Sequence, residues 1–479
     1  MKIKSENSQD ELPEYRHIPL TKVLMLQEQL NTVPWSQLTH LYGSAKDTPL
    51  HLLALLSSRA RERKEALSAL ATTICQDITE ASCAAIPFLI KILEQIPEKQ
   101  QPAILDLLDG LALCEYYAER KLRFIEVDRF TNTNTDHYQW FSREEYLQAI
   151  NSSQKLRWIE LAHRLVGDNI PTILKMLPKA GRRVKMRILY LLSGFQELHQ
   201  SFVPVIEPFL FSSTDILVQV YTLFCLSALL DENSVIWEYY LTLALSNHDK
   251  VPPLLRYTAA ISLAKYKPSA VVPGVADILI DAMIDPDKLN AFSRQLPYRW
   301  LNWVHVEACF VLSQLGVPIG SQGIQKALEQ KASSWPILDT LRVAEALLDV
   351  AFFGGWIQNR YWSLDIRGKP AFAAFAAEKK LGGSSYPYGH GQLIEYGSRT
   401  PSRSSALKVE CSGYDEDEAE RLRSQYEQQG REVLTDAQRQ AIKAIVDCKP
   451  LWLIESDFLQ MYGLPTRRKK LKKFLAEHS

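Results

Sequence analysis

Asp106 and Asp109 stand three residues apart in Ile104-Leu105-Asp106-Leu107-Leu108-Asp109. On a helix that spacing places two carboxylates on one face, where they could act as an acid/base pair or hold a cation. The same spacing also gives the solvated stripe of an amphipathic helix, and that plainer reading carries more weight. Other chemistry is sparse. The sequence contains no HExxH, no GxSxG and no phosphate-binding P-loop. Gly389-His390-Gly391 lacks the third glycine of a dinucleotide turn and the strand–helix context around it. No two of the 10 histidines lie three or four residues apart, as one helix face would need to share a metal. Cys75 and Cys83 are eight residues apart, too far for one turn. Neither a metal nor a cofactor is therefore expected, and the chain reads as more non-enzymatic than enzymatic.

Binding is the chemistry that the residue types suggest instead. Tyr298-Arg299-Trp300-Leu301-Asn302-Trp303 and Arg360-Tyr361-Trp362, with Trp356 nearby, concentrate Trp, Tyr and Arg. These types dominate binding hot spots because each buries much area while freezing few torsions. Phe130, Tyr138, Trp140 and Phe141 form a weaker cluster, and rings of this kind also fill gaps between irregular helices. Lys185, Arg256 and Arg342 recur at one place in successive helical segments, either as a ladder tying neighbours together or as a basic ridge for a ligand. Arg467-Arg468-Lys469-Lys470-Leu471-Lys472-Lys473 makes the end of the chain strongly basic. A solvated cap, favourable at the negative end of a helix dipole, is the plainer reading; contact with nucleic acid or anionic lipid is the sharper one.

The elements that must position these residues are helical. In Leu50 to Leu56 and Ala66 to Ala71, apolar residues recur at three and four residues, the stripe of an amphipathic helix. Ala85-Ile86-Pro87-Phe88-Leu89-Ile90-Lys91-Ile92-Leu93 has a near copy in Asn169-Ile170-Pro171-Thr172-Ile173-Leu174-Lys175-Met176-Leu177. Looser copies surround Pro204 and Pro273. Proline is pre-organised for a first helical turn, so each copy is expected to open a helix. The prolines are 84, 33 and 69 residues apart, near one or two multiples of roughly 35–42, the range of helical-pair repeats. Second helices follow at Val184–Leu189, Leu255–Ala260 and Leu341–Leu347.

A proline-started helix, an acidic turn such as Asp249, and then an apolar residue with Arg and an Ala-rich helix resemble the HEAT repeat over roughly residues 35–360. Gln219 and Glu307 depart from its basic position. Trp35 through Pro49, Glu80-Ala81-Ser82, Leu434 to Arg439, Trp452 and Tyr462-Gly463-Leu464-Pro465 resemble a set of poorly characterised bacterial HEAT-repeat proteins. The resemblance implies an all-α fold, an α-solenoid of HEAT/armadillo-like helical pairs, with a concave binding face. It makes three functions worth weighing. The first is a protein-interaction scaffold or inhibitor, with a toxin or effector as one partner class and a toxin-neutralising immunity protein as one form. The second is a nucleic-acid-binding solenoid like the HEAT-like DNA glycosylases, and the third a bilin-lyase-like enzyme.

Composition narrows these. Hydrophobic residues make up 46% and charged residues 23%, enough for a packed core. Lys plus Arg equals Asp plus Glu at 55 each, which gives nucleic acid no support as the main partner. Seven cysteines without a CxxC pair, and no apolar leader or membrane span, lead to the expectation of free thiols in a cytoplasmic protein. The expected organisation is a flexible tail over 1–15, the solenoid over 16–362, an irregular Gly/Ser/Tyr-rich insertion over 363–430 and a helical cap over 431–479. Within the solenoid, 120–142 reads as a loop. Thr435 with Gln438 is a capping-box start.

Overall fold

The computed structural model describes residues 18–75, 78–112, 154–231, 233–246, 251–285, 289, 304–317, 319–335, 337–354, 361–365, 408–412, 416–429, 433–453 and 455–478. Among them are 19 α-helices and only five short strands, so the class is all-α as the periodicity requires. The chain divides into two compact units, residues 1–229 and 230–479.

The first unit holds α1 (Leu20–Asn31), α2 (Thr48–Ala54), α3 (Ala60–Leu70), α4 (Glu80–Gln95), α5 (Gln101–Ala112), α6 (Gln154–Asp168), α7 (Ile170–Met176), α8 (Arg182–Leu192), α9 (His199–Ser212) and α10 (Ile216–Leu229). A two-residue hairpin pairs β1 (Thr39–His40) with β2 (Gly43–Ser44) before α2. Helix α4 packs against α2, α5 and α6; α5 also meets α8, and α10 meets α8 and α9. Ile86, Leu89, Leu93, Ile104 and Leu108 fill the seam around α4 and α5 at 2% exposure or less. Each such side chain contributes roughly 1.5–3 kcal/mol by leaving water.

The second unit holds α11 (Ile236–Leu245), α12 (Pro253–Tyr266), α13 (Pro273–Ile284), α14 (Val304–Gln314), α15 (Ile319–Lys331) and α16 (Ile337–Phe353). From α11 to α16 each helix packs on the next and, as far as α14, on the one after that. One-sided and all-round burial alternate along this series. Helix α13 buries only Val275, Ala276, Leu279, Ala282 and Met283, at helical spacing, whereas α12 buries Leu254, Leu255 and every residue from Tyr257 to Ala264. A helix apolar on one stripe faces water on the other side, and one apolar all round must be enclosed. Helix α16 is enclosed from Val343 to Val350.

Beyond α16, β3 (Tyr361–Asp365) pairs antiparallel with β4 (Lys408–Ser412), and β5 (Glu455–Ser456) joins β4 in parallel. Then come α17 (Glu416–Gln429), α18 (Asp436–Asp447) and α19 (Arg468–Glu477). The segment expected to be irregular over 363–430 therefore opens within a strand and closes in a helix. The residues expected to form a tail and the loop over 120–142 lie outside the described residues.

Two of the four proline-marked starts require correction. Pro171 and Pro273 lie in the first turn of α7 and α13. Pro87 instead lies in the middle of α4, and Pro204 and Pro208 lie inside α9. Helix α4 starts earlier because Thr79 and Ser82 form a capping box, which fixes the first turn seven residues before the ring. The missing N–H at Pro87 then costs one hydrogen bond within the helix. The favourable contacts of the buried Ile86, Phe88 and Leu89 outweigh that local loss.

Candidate interaction surfaces

Among the described residues of the first unit, buried histidines meet carboxylates at two places, and both are committed to the scaffold. His40 sits in the β1–β2 hairpin, with Nε2 3.1 Å from Asp47 Oδ1, and its Nδ1 accepts the Tyr42 N–H at 3.1 Å. Asp47 Oδ2 also lies 3.7 Å from His51 Nε2. His163 on α6 has Nε2 2.6 Å from Glu197 Oε1 and Nδ1 2.9 Å from the Ala112 carbonyl. Its ring stacks on Phe195 with centroids 4.4 Å apart. Both rings are buried with an acceptor or donor on each nitrogen, which leaves neither nitrogen to a substrate.

Three described cysteines are equally closed to chemistry. Burial pushes the Cys83 thiol up to about 12 and Cys448 to about 11. Cys75 also rises to about 12, through burial first and the negative charge of Asp109 second. A nucleophilic cysteine needs its thiolate accessible near neutral pH, and these three favour the thiol. Cys75, Cys83, Cys225, Cys309 and Cys448 form no disulfide, as their spacing suggests.

Asp106 is a half-exposed partner of Arg187 on α8, with Oδ1 3.1 Å from Nε. Burial holds its carboxyl above the usual range, and the Arg187 charge only partly opposes that. Tyr221 on α10, raised to about 12 by burial, senses both charges. The pair joins α5 to α8, a role that sequence spacing could not disclose because its partner is 81 positions away.

Among the three recurring basic positions, Lys185 places Nζ 5.5 Å from the centroid of the Phe209 ring. Arg256 donates from Nε to the Ala244 carbonyl at 3.1 Å, satisfying an acceptor in the last turn of α11. Burial lowers its affinity for the proton, and Asp281 on α13 opposes that. Arg342 stands on α16, one turn from Asp339 on one side and from Glu345 on the other. Glu307, where the repeat pattern would place a basic residue, is buried 3.7 Å from Lys265 Nζ, so an ion pair between α12 and α14 occupies the site with its signs exchanged. Tyr298, Arg299, Trp300, Trp303 and Arg360 lie outside the described residues. Tyr361 and Trp362 open β3, where their backbones pair with Ser412 and Cys411.

The C-terminal sequence signature docks on α16. Asp339, Glu345 and Asp349 are buried carboxylate residues on that helix. The Tyr462 hydroxyl donates to Asp349 Oδ1 at 2.7 Å and lies 3.3 Å from the Glu345 carbonyl, while its ring packs against Phe352 and Phe353. Gly463 turns the chain with φ +65°, and a Cβ there would meet the Arg423 backbone N at 2.9 Å. Tyr426 on α17 donates to the Tyr462 carbonyl at 3.1 Å. Leu434 and Trp452 serve the same module: the Leu434 carbonyl accepts from Arg439, and the Trp452 indole donates to the Ile445 carbonyl. Tyr462 and Gly463 thus form a structural clasp on the last enclosed helix.

Several large apolar side chains and one basic run stand among the exposed residues. Leu20, Leu24 and Met25 stand exposed along α1, Tyr42 and Leu50 follow, and Phe211 is exposed at the end of α9. Arg467 to Lys470, Lys472 and Lys473 are exposed at the start of α19. Among the described residues no three His, Cys, Asp or Glu side chains are grouped to hold a metal, and no helix is long and apolar enough to cross a membrane. No known protein family and no curated protein matches the chain.

Proposed function

We propose that the chain is a HEAT-type α-solenoid that binds another protein without catalysis, a scaffold or inhibitor of which a toxin-neutralising immunity protein is one form. The observation that carries the reading is the packing of α11 to α16. Each helix meets the next and most meet the one after, outer and enclosed helices alternate, and α15 and α16 are also covered by α18. Stacking of that kind buries a continuous core and presents the remaining faces as an extended surface. The histidine pairs and buried thiols are committed to packing, which supports binding over turnover, while large apolar side chains such as Leu24, Met25 and Phe211 stand outside. The aromatic clusters at 298–303 and 360–362 supply anchors of the type that protein interfaces favour.

The test is a tagged pull-down from the source cell, read by mass spectrometry at low and high salt, then reconstitution with the purified hit. One protein that survives high salt and rebinds at fixed stoichiometry is expected. Recovery of nucleic acid alone, lost as salt rises, overturns the reading.

A further inference from the structure

The basic run at 467–473 was expected to favour the negative end of a helix dipole. The structure puts it at the other end. Arg467 is the N-cap of α19, and Arg468, Lys469 and Lys470 form its first turn, with no acidic residue there and no side chain capping the N–H groups. Cations beside the positive end of a helix macrodipole oppose it. All six basic side chains are exposed, and Leu471 between them is fully buried. The described ion pair in the run is Lys473 with Glu477 at 3.5 Å, and Arg468 Nε donates to the Val446 carbonyl at 2.8 Å. Residues 433–478 carry nine basic residues against five acidic ones, in a chain whose total charge is zero. Charge is therefore concentrated here against local stability, which marks a site kept for a ligand.

We infer that the outward face of α19 is a docking surface for the phosphodiester backbone of a nucleic acid. This goes beyond the protein-binding reading and does not rest on it. Charge complementarity names a polyanion, and the uncapped first-turn N–H groups suit phosphate oxygens. The apolar side of the helix points away from a lipid role. Leu471 is buried, Phe474 packs edge-on against Tyr426 at 5.3 Å, and His478 stacks on Phe474 at 4.2 Å. No apolar stripe is left to enter a bilayer, as an interfacial helix requires. With backbone contacts alone, binding is indifferent to base sequence.

The experiment uses the full chain and a fluorescently labelled duplex of about 20 base pairs, read by anisotropy across a salt series. Four phosphate contacts predict an affinity falling about a hundred-fold between 50 and 200 mM salt. The quadruple variant Lys469→Gln, Lys470→Gln, Lys472→Gln, Lys473→Gln is expected to bind at least about ten-fold more weakly, with a flatter salt slope. Its unfolding midpoint is expected to lie close to that of the parent, since relief of the dipole at Lys469 and Lys470 offsets the loss of the exposed Lys473–Glu477 pair. Absence of duplex binding overturns the proposal, as does binding that the variant leaves unchanged. A variant that unfolds more readily also overturns it, because the run would then be structural. Binding to phosphatidylserine-doped phosphatidylcholine vesicles without binding to the duplex overturns the choice of ligand.

Discussion

Gly463 shows how much one residue can carry. Its φ of +65° lies in the left-handed region, and the space a side chain would take is held by the backbone of α17, at Arg423 N and the Ala419 carbonyl. Backbone cannot swing aside as a flexible side chain can. Gly463→Ala is therefore expected to lower stability by about 1–3 kcal/mol, measured as a shift in the urea midpoint. A variant as stable as the parent would show that the clasp on α16 does not depend on this turn. Asp47 gives a pH signature at the same scale. Burial raises its carboxyl, but the hydrogen bond from His40, its backbone bond and the charges of His40 and His51 together hold it below 3.8. A carboxyl lowered by folding stabilises the native state fully above its unfolded value and loses that contribution as pH falls through the lower, folded one. The thermal midpoint of the parent should exceed that of Asp47→Asn at pH 5–6 by a margin that closes below about pH 4. A margin independent of pH would remove the His40–Asp47 link from the account.

At the scale of elements, local rules disclosed a good deal and long-range pairings disclosed nothing. Thr435 and Gln438 make the reciprocal capping box their spacing implies: the Thr435 N–H donates to Gln438 Oε1 at 2.9 Å and the Gln438 N–H to Thr435 Oγ1 at 3.2 Å. Thr435→Ala should cost about 1 kcal/mol of stability. Equal stability in chemical denaturation would mean that tertiary packing alone fixes the start of α18. Pro171 and Pro273 were legible for the same reason, since a first-turn proline is a local preference. Pro87 and Pro204 misled because packing in the surrounding helix overrides it. The β3–β4 pair was invisible: Tyr361 and Ser412 are too far apart in the chain for periodicity to link them, and β3 runs across the boundary drawn at 362. The burial of Glu345 and Asp349 was equally hidden. Charges in an apolar helix read as its solvated side until neighbours such as Tyr462 are known to cover them. The direction of the basic run on α19 depended on where that helix begins, which lysines and arginines alone do not signal.

At the scale of the whole molecule, each unit has a core of its own. Tyr190, Phe195, Phe202 and Phe224 are buried in the first, and Trp237, Tyr240, Tyr257 and Tyr462 in the second. Near-neighbour packing lets cooperativity decay along a chain, because a helix senses unfolding chiefly through the helices beside it. A single globular core would transmit unfolding throughout and give coincident transitions by every probe. Denaturant unfolding is accordingly expected to be broader than one two-state step, and probes placed in the two units should diverge. Trp35 and Trp158 report from the first unit, while Trp237, Trp335 and Trp452 are described reporters in the second. Replacing the tryptophans of one unit with Phe isolates the other, and its fluorescence can be set against far-ultraviolet circular dichroism. Midpoints that differ between the reporters would support units unfolding in succession. Superimposable curves from every probe would show cooperativity reaching across residue 229, and the local-packing argument for a repeat array would lose its thermodynamic support.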